Sequence, residues 1–266
     1  MPVKKGPDAS RFVEMVVEVP GTPEAVWAAM ATGPGISCWF TPTTVEERVG
    51  GTITFELGPG MESSGQITTW EPPCQLAYEE RDWMEGAPPL ATEVHIEAKD
   101  GGVCVMRMVH SLFASGGDWD DQLESMENGW PPFLTILREY MEHYRNLPCT
   151  SARLLAKSLQ PEADTWDRLQ AAFGLEGLAI DQPFQSIPSA GVRLGGSVMQ
   201  LGTAQCPHQA MLRLDEPGQG FVTLGAYTWG GEVLASASFY FYGDEASAMA
   251  TTAQKEWEVW FAELFS

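Results

Sequence analysis

The 266-residue sequence has few basic side chains and no long apolar runs. It contains 15 lysine and arginine residues against 36 aspartate and glutamate residues, which gives a formal net charge of −21. Such an acidic chain lacks the cationic surface that phosphate backbones require, so we predict no nucleic-acid partner and no binding to an anionic membrane. No stretch reaches the roughly 18 consecutive apolar residues of a membrane-spanning helix, so membrane insertion is not expected either.

Cysteine is also scarce, with five residues that are scattered and never spaced as C-x-x-C. An odd number of scattered cysteines favours free thiols in a reducing compartment over a disulfide framework or a zinc site. The N-terminal sequence MPVKKGPDAS lacks the apolar segment of a secretory signal. These features predict a cytoplasmic protein.

The sequence lacks the motifs of common cofactor and catalytic sites. It contains no P-loop, no dinucleotide-binding glycine pattern at a strand-to-helix turn and no G-x-S-x-G. The acidic residues Asp118, Asp120, Asp121 and Glu124 lack the spacing of an EF-hand. Their carboxylates suit the first turn of a helix, where they interact favourably with the helix dipole. We therefore predict neither a bound metal nor a cofactor.

A repeated arrangement is the clearest feature that is present. The segment EERVGGTITFELG at residues 46–58 is similar to GVRLGGSVMQLG at residues 191–202. Each is preceded by an alternating strand and a helix that begins with Pro-Glu, in which Trp27 and Trp166 occupy matching positions. Similar segments in the same order indicate a duplicated unit.

Each unit reads as a strand, a short helix, a series of antiparallel strands and a long amphipathic helix. Thr22 is the expected N-cap of the first short helix, and Gly174 is the expected end of the second. Apolar residues at helical spacing define the buried stripe of the first closing helix: Trp130, Phe133, Leu134, Leu137, Met141 and Tyr144. The corresponding stripe of the second closing helix is Met249, Ala253, Trp257, Trp260, Phe261 and Leu264.

This pattern predicts an α+β fold made of two units, each a curved antiparallel sheet wrapped around its long C-terminal helix. Because both closing helices end a repeat and Pro148 interrupts the chain between them, we place the units at residues 1–147 and 148–266. The second unit is expected to be shorter by about one hairpin.

Several motifs of the first unit, in order, resemble the START-like, helix-grip (SRPBCC) superfamily. More narrowly they resemble the family of homologues of the activator of heat-shock protein 90 ATPase. The matching segments are PEAVWAAM, CWFTP, RVGGTITF, SGQITTWEPPCQLAY, VHSLF and ENGWPPFLTILREYM. They extend over most of residues 10–146, whereas the second unit matches only through its Pro-Glu helix, RLGG and its closing helix. The second copy is therefore interpreted as degenerate.

The resemblance implies a cavity between the sheet and the closing helix, which this superfamily uses for lipids, polyketides and other hydrophobic molecules. It implies that the partner is a hydrophobic small molecule, which apolar residues of the first unit would contact. The loop residues Trp39 and Phe40 are expected at its mouth. The full set of predicted ligand-binding residues is Trp39, Phe40, Phe55, Tyr78, Met106, Met108, His110, Phe133, Leu137 and Met141.

His110 depends on the register of one hairpin, TEVHIEAKDGGVCVMRMVHS. A two-residue turn would direct Arg107 into the core, at a cost of several kcal/mol for an unpaired buried charge. A three-residue loop at residues 100–102 turns Arg107 outward and His110 inward, so we predict that loop. His110 is then either a neutral core histidine with a hydrogen-bond partner or a residue that contacts the ligand or transfers a proton.

Three functions remain open from the sequence. The first is non-enzymatic binding of a hydrophobic small molecule, as in a carrier, a sequestering protein or a sensor. The second is a cyclase, dehydratase or hydrolase that acts in the same pocket, with His110 or a pocket tyrosine as general acid and base. The third is a chaperone-regulating interaction module, which only the fold analogy supports.

Overall fold

The computed structural model of the chain describes residues 3–6, 10–58, 61–81, 83–84, 86–113, 119–187, 193–204, 206–229 and 231–266. The chain divides into two compact units, Met1–Arg145 and Asn146–Ser266. Within the described ranges, each unit contains one antiparallel sheet, of eight strands in the first unit and six in the second. No helix in this part of the chain is long and apolar enough to span a membrane.

The sheet of the first unit is an antiparallel meander whose last strand, β8, pairs with the long strand β2. Its strands are β1 Lys4–Lys5, β2 Arg11–Pro20, β3 Thr43–Val45, β4 Thr52–Gly58, β5 Met61–Glu71, β6 Gln75–Glu80, β7 Leu90–Lys99 and β8 Val103–Leu112. Their order in the sheet is β1-β2-β8-β7-β6-β5-β4-β3. The strand that precedes the helices therefore pairs with the last strand of the meander.

Three helices accompany this sheet: α1 Pro23–Ala31, α2 Gly33–Ser37 and α3 Asp120–Glu139, which continues as a π-helical turn at Tyr140–Tyr144. Thr22 caps α1 as predicted, because its hydroxyl accepts a hydrogen bond from the backbone N–H of Ala25 at 3.4 Å. Helix α3 packs against β2. Its predicted stripe is confirmed in part, since Leu134, Leu137 and Met141 are buried. The other three predicted residues, Trp130, Phe133 and Tyr144, are only partly buried, whereas Ile136 and Tyr140, outside the predicted stripe, are buried.

The second unit has the strands β9 Cys149–Ser158, β10 Pro183–Ser186, β11 Leu194–Leu201, β12 Gln209–Glu216, β13 Gly220–Trp229 and β14 Glu232–Tyr242. Their order is β10-β11-β12-β13-β14-β9. Helix α4, Glu162–Phe173, ends as predicted at Gly174, which has a φ of 66°. The closing helix is interrupted: α5 Ala246–Thr252 leads into a π-helical turn at Ala253–Trp257 and then into α6 Glu258–Leu264.

The two units share one topology, so the predicted α+β fold of two helix-grip units is confirmed. In each unit the first long strand leads into a helical segment, α1 and α2 after β2 and α4 after β9, and pairs with the last strand, β8 or β14. From that first long strand onward, the described residues form β2–β8 in the first unit and β9–β14 in the second. The second unit is therefore shorter by one strand, rather than by the hairpin that the sequence suggested.

In both units, the second glycine of the repeated Gly-Gly pair lies so close to another backbone segment that a side chain would not fit. A Cβ on Gly51 would lie 2.2 Å from the carbonyl oxygen of Glu46, and a Cβ on Gly196 would lie 1.9 Å from that of Arg213. The local structures differ, because Gly51 precedes β4 whereas Gly196 lies within β11 at a shift of register. A larger residue would displace backbone at either position.

The cysteines depart from the prediction of five free thiols. Cys74, Cys104 and Cys206 are free thiols. Cys38 and Cys149 are not, so the prediction is wrong at these two positions. The cysteine pattern therefore does not support a reducing compartment by itself, and the cytoplasmic location stays a prediction.

We expect limited proteolysis to cleave the chain near Leu147–Thr150 before it cleaves within either unit. Each unit has its own sheet and core, so the backbone within a unit is protected by hydrogen bonds and packing. The test is mass spectrometry of the products, separated under reducing conditions so that nicked chains come apart. A stable fragment that ends near residue 75, inside the first sheet, would contradict the predicted division.

Candidate functional site

The β7–β8 hairpin determines which side chains face the closing helix of the first unit. The loop has the three predicted residues, Asp100–Gly102, because Lys99 pairs with Val103. This register places His110 opposite Thr92 and turns Arg107 to the other face, where it forms an ion pair with Glu14. On the inner face of β8 the residues below His110 are Cys104, Met106 and Met108, all buried.

His110 is buried and only half satisfied. Its side chain is 4% exposed, and its Nδ1 lies 2.9 Å from the Thr92 hydroxyl oxygen, which is fully buried. Its Nε2 is buried and has no hydrogen-bond partner among the described residues. The imidazole stacks on the indole of Trp130, with centroids 5.6 Å apart and an interplanar angle of 17°. Burial lowers the pKa of His110 to about 4, so the imidazole is neutral at pH 7.

Aromatic rings surround this histidine on the helix side. Phe40 is central: its ring centroid lies 4.9 Å from that of Trp130, 5.0 Å from that of Phe133 and 5.9 Å from that of Phe55. The Phe55 ring in turn contacts Tyr78 at 5.8 Å. We call the following set the aromatic cluster: Trp39, Phe40, Phe55, Tyr78, Trp130 and Phe133. It joins the α2–β3 segment, the sheet and α3 into one apolar surface.

Polar side chains cross the sheet beside the aromatic cluster. Tyr78, Thr92 and His110 lie opposite one another on the adjacent strands β6, β7 and β8, and we call them the polar row. Burial raises the pKa of the Tyr78 hydroxyl, while a hydrogen bond from Thr92 opposes that rise. Two residues along β6, Glu80 accepts a hydrogen bond from the Ser63 hydroxyl. Burial raises the pKa of Glu80 and so favours its neutral form.

The structure brings most of the predicted ligand-binding residues into one set of contacts. Ring contacts connect Trp39, Phe40, Phe55, Tyr78, His110 and Phe133, in part through Trp130. Met106, Met108 and Leu137 are buried on the facing surfaces of β8 and α3. Met141 lies elsewhere: its Cε is beside Gly21, at the end of the sheet where Val103 begins β8, roughly 20 Å from His110 along the strand.

Three residues of the site were not among the predicted set. Trp130 was placed on the buried stripe of α3, but its stacking on His110 could not be foreseen. Thr92 continues the alternation of Val94 along β7, so the same period-two pattern would have found it. Glu80 alternates with Tyr78 in the same way, although burial of a carboxyl group argues against an inward position from sequence alone.

The other candidate residues have ordinary structural roles. Cys104 is buried, its pKa is raised by that burial, and its Sγ donates to the carbonyl oxygen of Gly21 at 3.3 Å, as befits a core thiol. His95 contacts the carboxylate of Glu93 at 3.2 Å on the outer face of the sheet, and His143 is exposed. In the second unit, His208 lies 2.9 Å from a carboxylate oxygen of Glu162.

The acidic residues at the start of α3 have a structural role in that helix. Asp120 and Asp121 lie in the first turn of α3, as predicted, and Asp120 forms a bidentate ion pair with Arg11. Asp118 lies outside the described residues. Across the described ranges, no group of three or more histidine, cysteine, aspartate or glutamate side chains is arranged to hold a metal ion.

We expect the stability of the protein to fall as the pH falls from about 6.5 to about 4, in part because of His110. The folded-state pKa lies near 4, below the ordinary value of 6.5, so the unfolded chain binds more protons in this window. The loss amounts to up to about 3 kcal/mol of the free energy of unfolding. Urea unfolding at a series of pH values measures it.

A pair of variants separates this contribution from that of Glu80. His110→Phe should have a shallower loss of stability over this window, because it has no imidazole to protonate. Glu80→Gln should keep the loss due to His110, because it removes only the carboxyl group. Equal pH dependence in the wild type and in His110→Phe would contradict the prediction.

We expect removal of metal ions to leave the protein unchanged. Since the described residues offer no metal-binding group, dialysis against EDTA should not alter the midpoint of thermal unfolding. A midpoint that drops by several degrees and recovers with one particular ion would show that residues such as Asp118 complete a site.

Parts of this chain are similar to one protein family and to several solved structures. The model of the family described as "Activator of Hsp90 ATPase homolog 1-like protein" matches residues 20–142. No curated protein matches the sequence. The solved structures that it resembles include CalU16 from Micromonospora echinospora, at 20% identity over 53% of this chain and 83% of that one, with a TM-score of 0.43.

Two of the similar structures extend over both units. The di-domain ARO/CYC BexL from the BE-7585A biosynthetic pathway is 16% identical over 96% of this chain and 93% of its own, with a TM-score of 0.45. DynU16, a putative protein in the dynemicin biosynthetic locus, is 16% identical over 95% and 96%, with a TM-score of 0.42. We infer no function from these likenesses. The family match, by contrast, covers nearly all of the first unit, which therefore belongs to the activator of Hsp90 ATPase homologue 1-like family.

Proposed function

We propose that the first unit binds a hydrophobic small molecule between its sheet and α3, and that it does so without catalysing a reaction. The observation that carries this proposal is the buried, unpaired Nε2 of His110 beside the aromatic cluster. A buried polar atom without a partner costs about 1–3 kcal/mol. A bound molecule with one polar group would offset that cost, while its apolar remainder packs against the rings.

The aromatic cluster supports an apolar ligand. Phe40, Trp130 and Phe133 are each only partly buried, so their rings retain surface that a ligand could cover. Together they come from a loop and from the closing helix, which are elements that can adjust around a bound molecule. The family of the first unit is consistent with this use of the space between sheet and helix.

The titratable groups support binding more than chemistry. Burial lowers the pKa of His110 to about 4 and raises that of Tyr78, so neither group changes charge near pH 7. Cys104 lies six residues from His110 on one strand, roughly 20 Å away, too far for the two to act as nucleophile and base.

One observation favours the enzymatic alternative. Burial shifts the pKa of Glu80 upward and that of His110 downward, and two groups shifted in opposite directions can serve as an acid and a base. In a cyclase, dehydratase or hydrolase built on this site, His110 would transfer the proton. The binding and enzymatic functions make different predictions for the same variant.

We expect His110→Phe to bind an apolar ligand almost as well as the wild type. The variant keeps a planar ring against Trp130 and loses both nitrogens, so the affinity for fluorene should change by at most about tenfold. Quenching of tryptophan fluorescence measures this affinity. A substrate that only the wild type converts, with turnover roughly two to four orders of magnitude lower in the variant, would establish the enzymatic alternative instead.

Two phenylalanine variants test where the ligand binds. Phe133→Ala removes a ring that contacts Phe40 and Trp130, so it should weaken fluorene binding by about tenfold. Phe113→Ala is the matched control, because Phe113 is exposed. Equal effects of the two variants, or no saturable binding by the wild type, would contradict the proposal. Native mass spectrometry of freshly purified protein adds a check, since a retained protein in place of a small molecule would favour the chaperone-regulating function.

A further inference from the structure

A buried carboxyl group lies on the inner face of the first sheet, beside the aromatic cluster. Glu80 is only 8% exposed, although it is an acidic residue on a strand. Gly65 lies directly opposite it on β5. A Cβ on Gly65 would lie 2.8 Å from Cδ2 of Tyr78 and 3.1 Å from Cγ of Glu80, so the glycine leaves space that these two side chains occupy. The phenol ring and the carboxyl-bearing side chain therefore lie side by side.

Two rings of the aromatic cluster border this carboxyl group. Ser63, whose hydroxyl donates a hydrogen bond to Glu80, lies opposite Phe55 on β4. The rings of Phe55 and Tyr78 are in contact, with centroids 5.8 Å apart. Burial raises the pKa of Tyr78, and the negative charge of an ionised Glu80 raises it further, as expected for neighbouring groups. The carboxyl group thus adjoins an aromatic surface.

The described residues give Glu80 little compensation for its burial. Ser63 provides one hydrogen bond, and no cationic side chain among these residues forms an ion pair with the Glu80 carboxyl group. Burial raises the pKa of Glu80, and only the hydrogen bond from Ser63 opposes that rise. A buried acidic side chain is ordinarily paired with a cation. Glu80 lacks such a partner in the part of the chain that the structure describes.

The other charged and titratable groups on this side of the sheet favour a cation over an anion. Arg11 lies three strands from Glu80, roughly 15 Å across the sheet, and already pairs with Asp120. His110, two strands away, is neutral at pH 7 because burial lowers its pKa to about 4. Glu127, on the closing helix α3, is half-buried. A negatively charged ligand would therefore meet carboxyl groups without a cation to compensate them.

We propose that the ligand of the first unit is an apolar amine, whose ammonium group pairs with the Glu80 carboxylate and lies against the rings of Tyr78 and Phe55. This inference rests on the proposed binding function and specifies the charge of the ligand, which the unpaired Nε2 of His110 leaves open. A neighbouring cation favours the ionised form of a carboxyl group, so binding transfers the proton of Glu80 to solvent. Aromatic faces within about 6 Å attract the cation as well.

Three matched probes test the charge of the ligand. 1-(Aminomethyl)naphthalene, 1-ethylnaphthalene and 1-naphthylacetate have the same rings and a short side chain that ends in an ammonium, a methyl or a carboxylate group. The wild type at pH 7 should bind the amine about tenfold more tightly than ethylnaphthalene, which is the effect of one charge-assisted hydrogen bond. Naphthylacetate should bind most weakly. Isothermal titration calorimetry measures the three affinities.

The outcomes separate this inference from the binding proposal. Equal affinity for the amine and ethylnaphthalene, or tighter binding of naphthylacetate, overturns the amine inference. The binding proposal still stands in that case, provided that fluorene binds. If neither fluorene nor any of the three naphthalene probes binds, both are overturned.

Two glutamine variants assign the preference to Glu80. Glu80→Gln keeps the size of the side chain and an acceptor for Ser63 but cannot carry a negative charge, so it should bind the amine and ethylnaphthalene equally. Glu79→Gln is the matched control, because it removes a charge from the neighbouring residue, whose carboxylate contacts Arg81 at 3.5 Å on the other face of β6. It should keep the wild-type preference. A preference that persists in Glu80→Gln, or that disappears in both variants, would overturn the assignment.

Proton release provides a test in the unchanged protein. Because burial raises the pKa of Glu80, the free carboxyl group carries a proton at a pH below that raised value. Calorimetry in two buffers of different ionisation enthalpy, at a pH of about 5.5, should therefore show release of up to one proton per amine bound and none with ethylnaphthalene. The affinity for the amine should accordingly rise toward pH 7. Binding of the amine without proton release would overturn the inference even if the variants failed to fold.

Discussion

The register of β7 against β8 is the constraint on which the rest of the first unit depends. The three-residue loop at Asp100–Gly102 turns every second side chain of β8 toward α3, and His110 is one of them. A register shifted by one residue would turn His110 to solvent and Arg107 into the core. The ion pair of Arg107 with Glu14 on the outer face and the hydrogen bond of His110 with Thr92 on the inner face both favour the observed register.

The second unit has the same topology, but aromatic side chains occupy the inner face of its last strand. The inner face of its last strand, β14, carries Phe239 and Phe241, whose rings stack with centroids 5.8 Å apart. Trp257 packs on Phe239 at 4.9 Å and fills the space between strand and helix. The Trp257 indole nitrogen is also buried without a partner in the described residues, so an unpaired polar atom does not by itself mark a site. His110 differs because its other ring nitrogen is bonded to the Thr92 hydroxyl and its ring stacks on Trp130 at the edge of the aromatic cluster.

Parts of this arrangement could be predicted from the sequence, namely those for which one large energetic cost excludes the alternative structure. Burial of an unpaired arginine is so unfavourable that it determines the length of the hairpin loop, and the period of apolar residues places Leu134 and Leu137 on the buried face of α3. Side chains that meet through the tertiary fold could not be predicted in this way. Trp130 and His110 are distant in the chain, and their stacking depends on the path that connects β8 to α3.

Glu80 illustrates the opposite limit of sequence reasoning. Alternation along β6 predicts that the Glu80 side chain faces inward with Tyr78. The cost of burying a carboxylate predicts instead that it faces solvent. The conflict is resolved by Ser63, which donates to the carboxyl group, and by a raised pKa that favours its neutral form. Neither effect is visible in a pattern of apolar and polar residues.

Positions at which local sequence preferences conflict with the observed structure are often functional, because selection for stability alone would favour a different residue there. In the second unit, phenyl rings fill the inner face of the last strand and need no polar partner. In the first unit, His110 keeps an unpaired nitrogen at a cost of about 1–3 kcal/mol and sacrifices further stability in acid. A phenylalanine at this position would avoid both costs and keep the contact with Trp130. The ligand proposed for the first unit would account for a histidine at this position, because a polar group of that ligand could pair with Nε2.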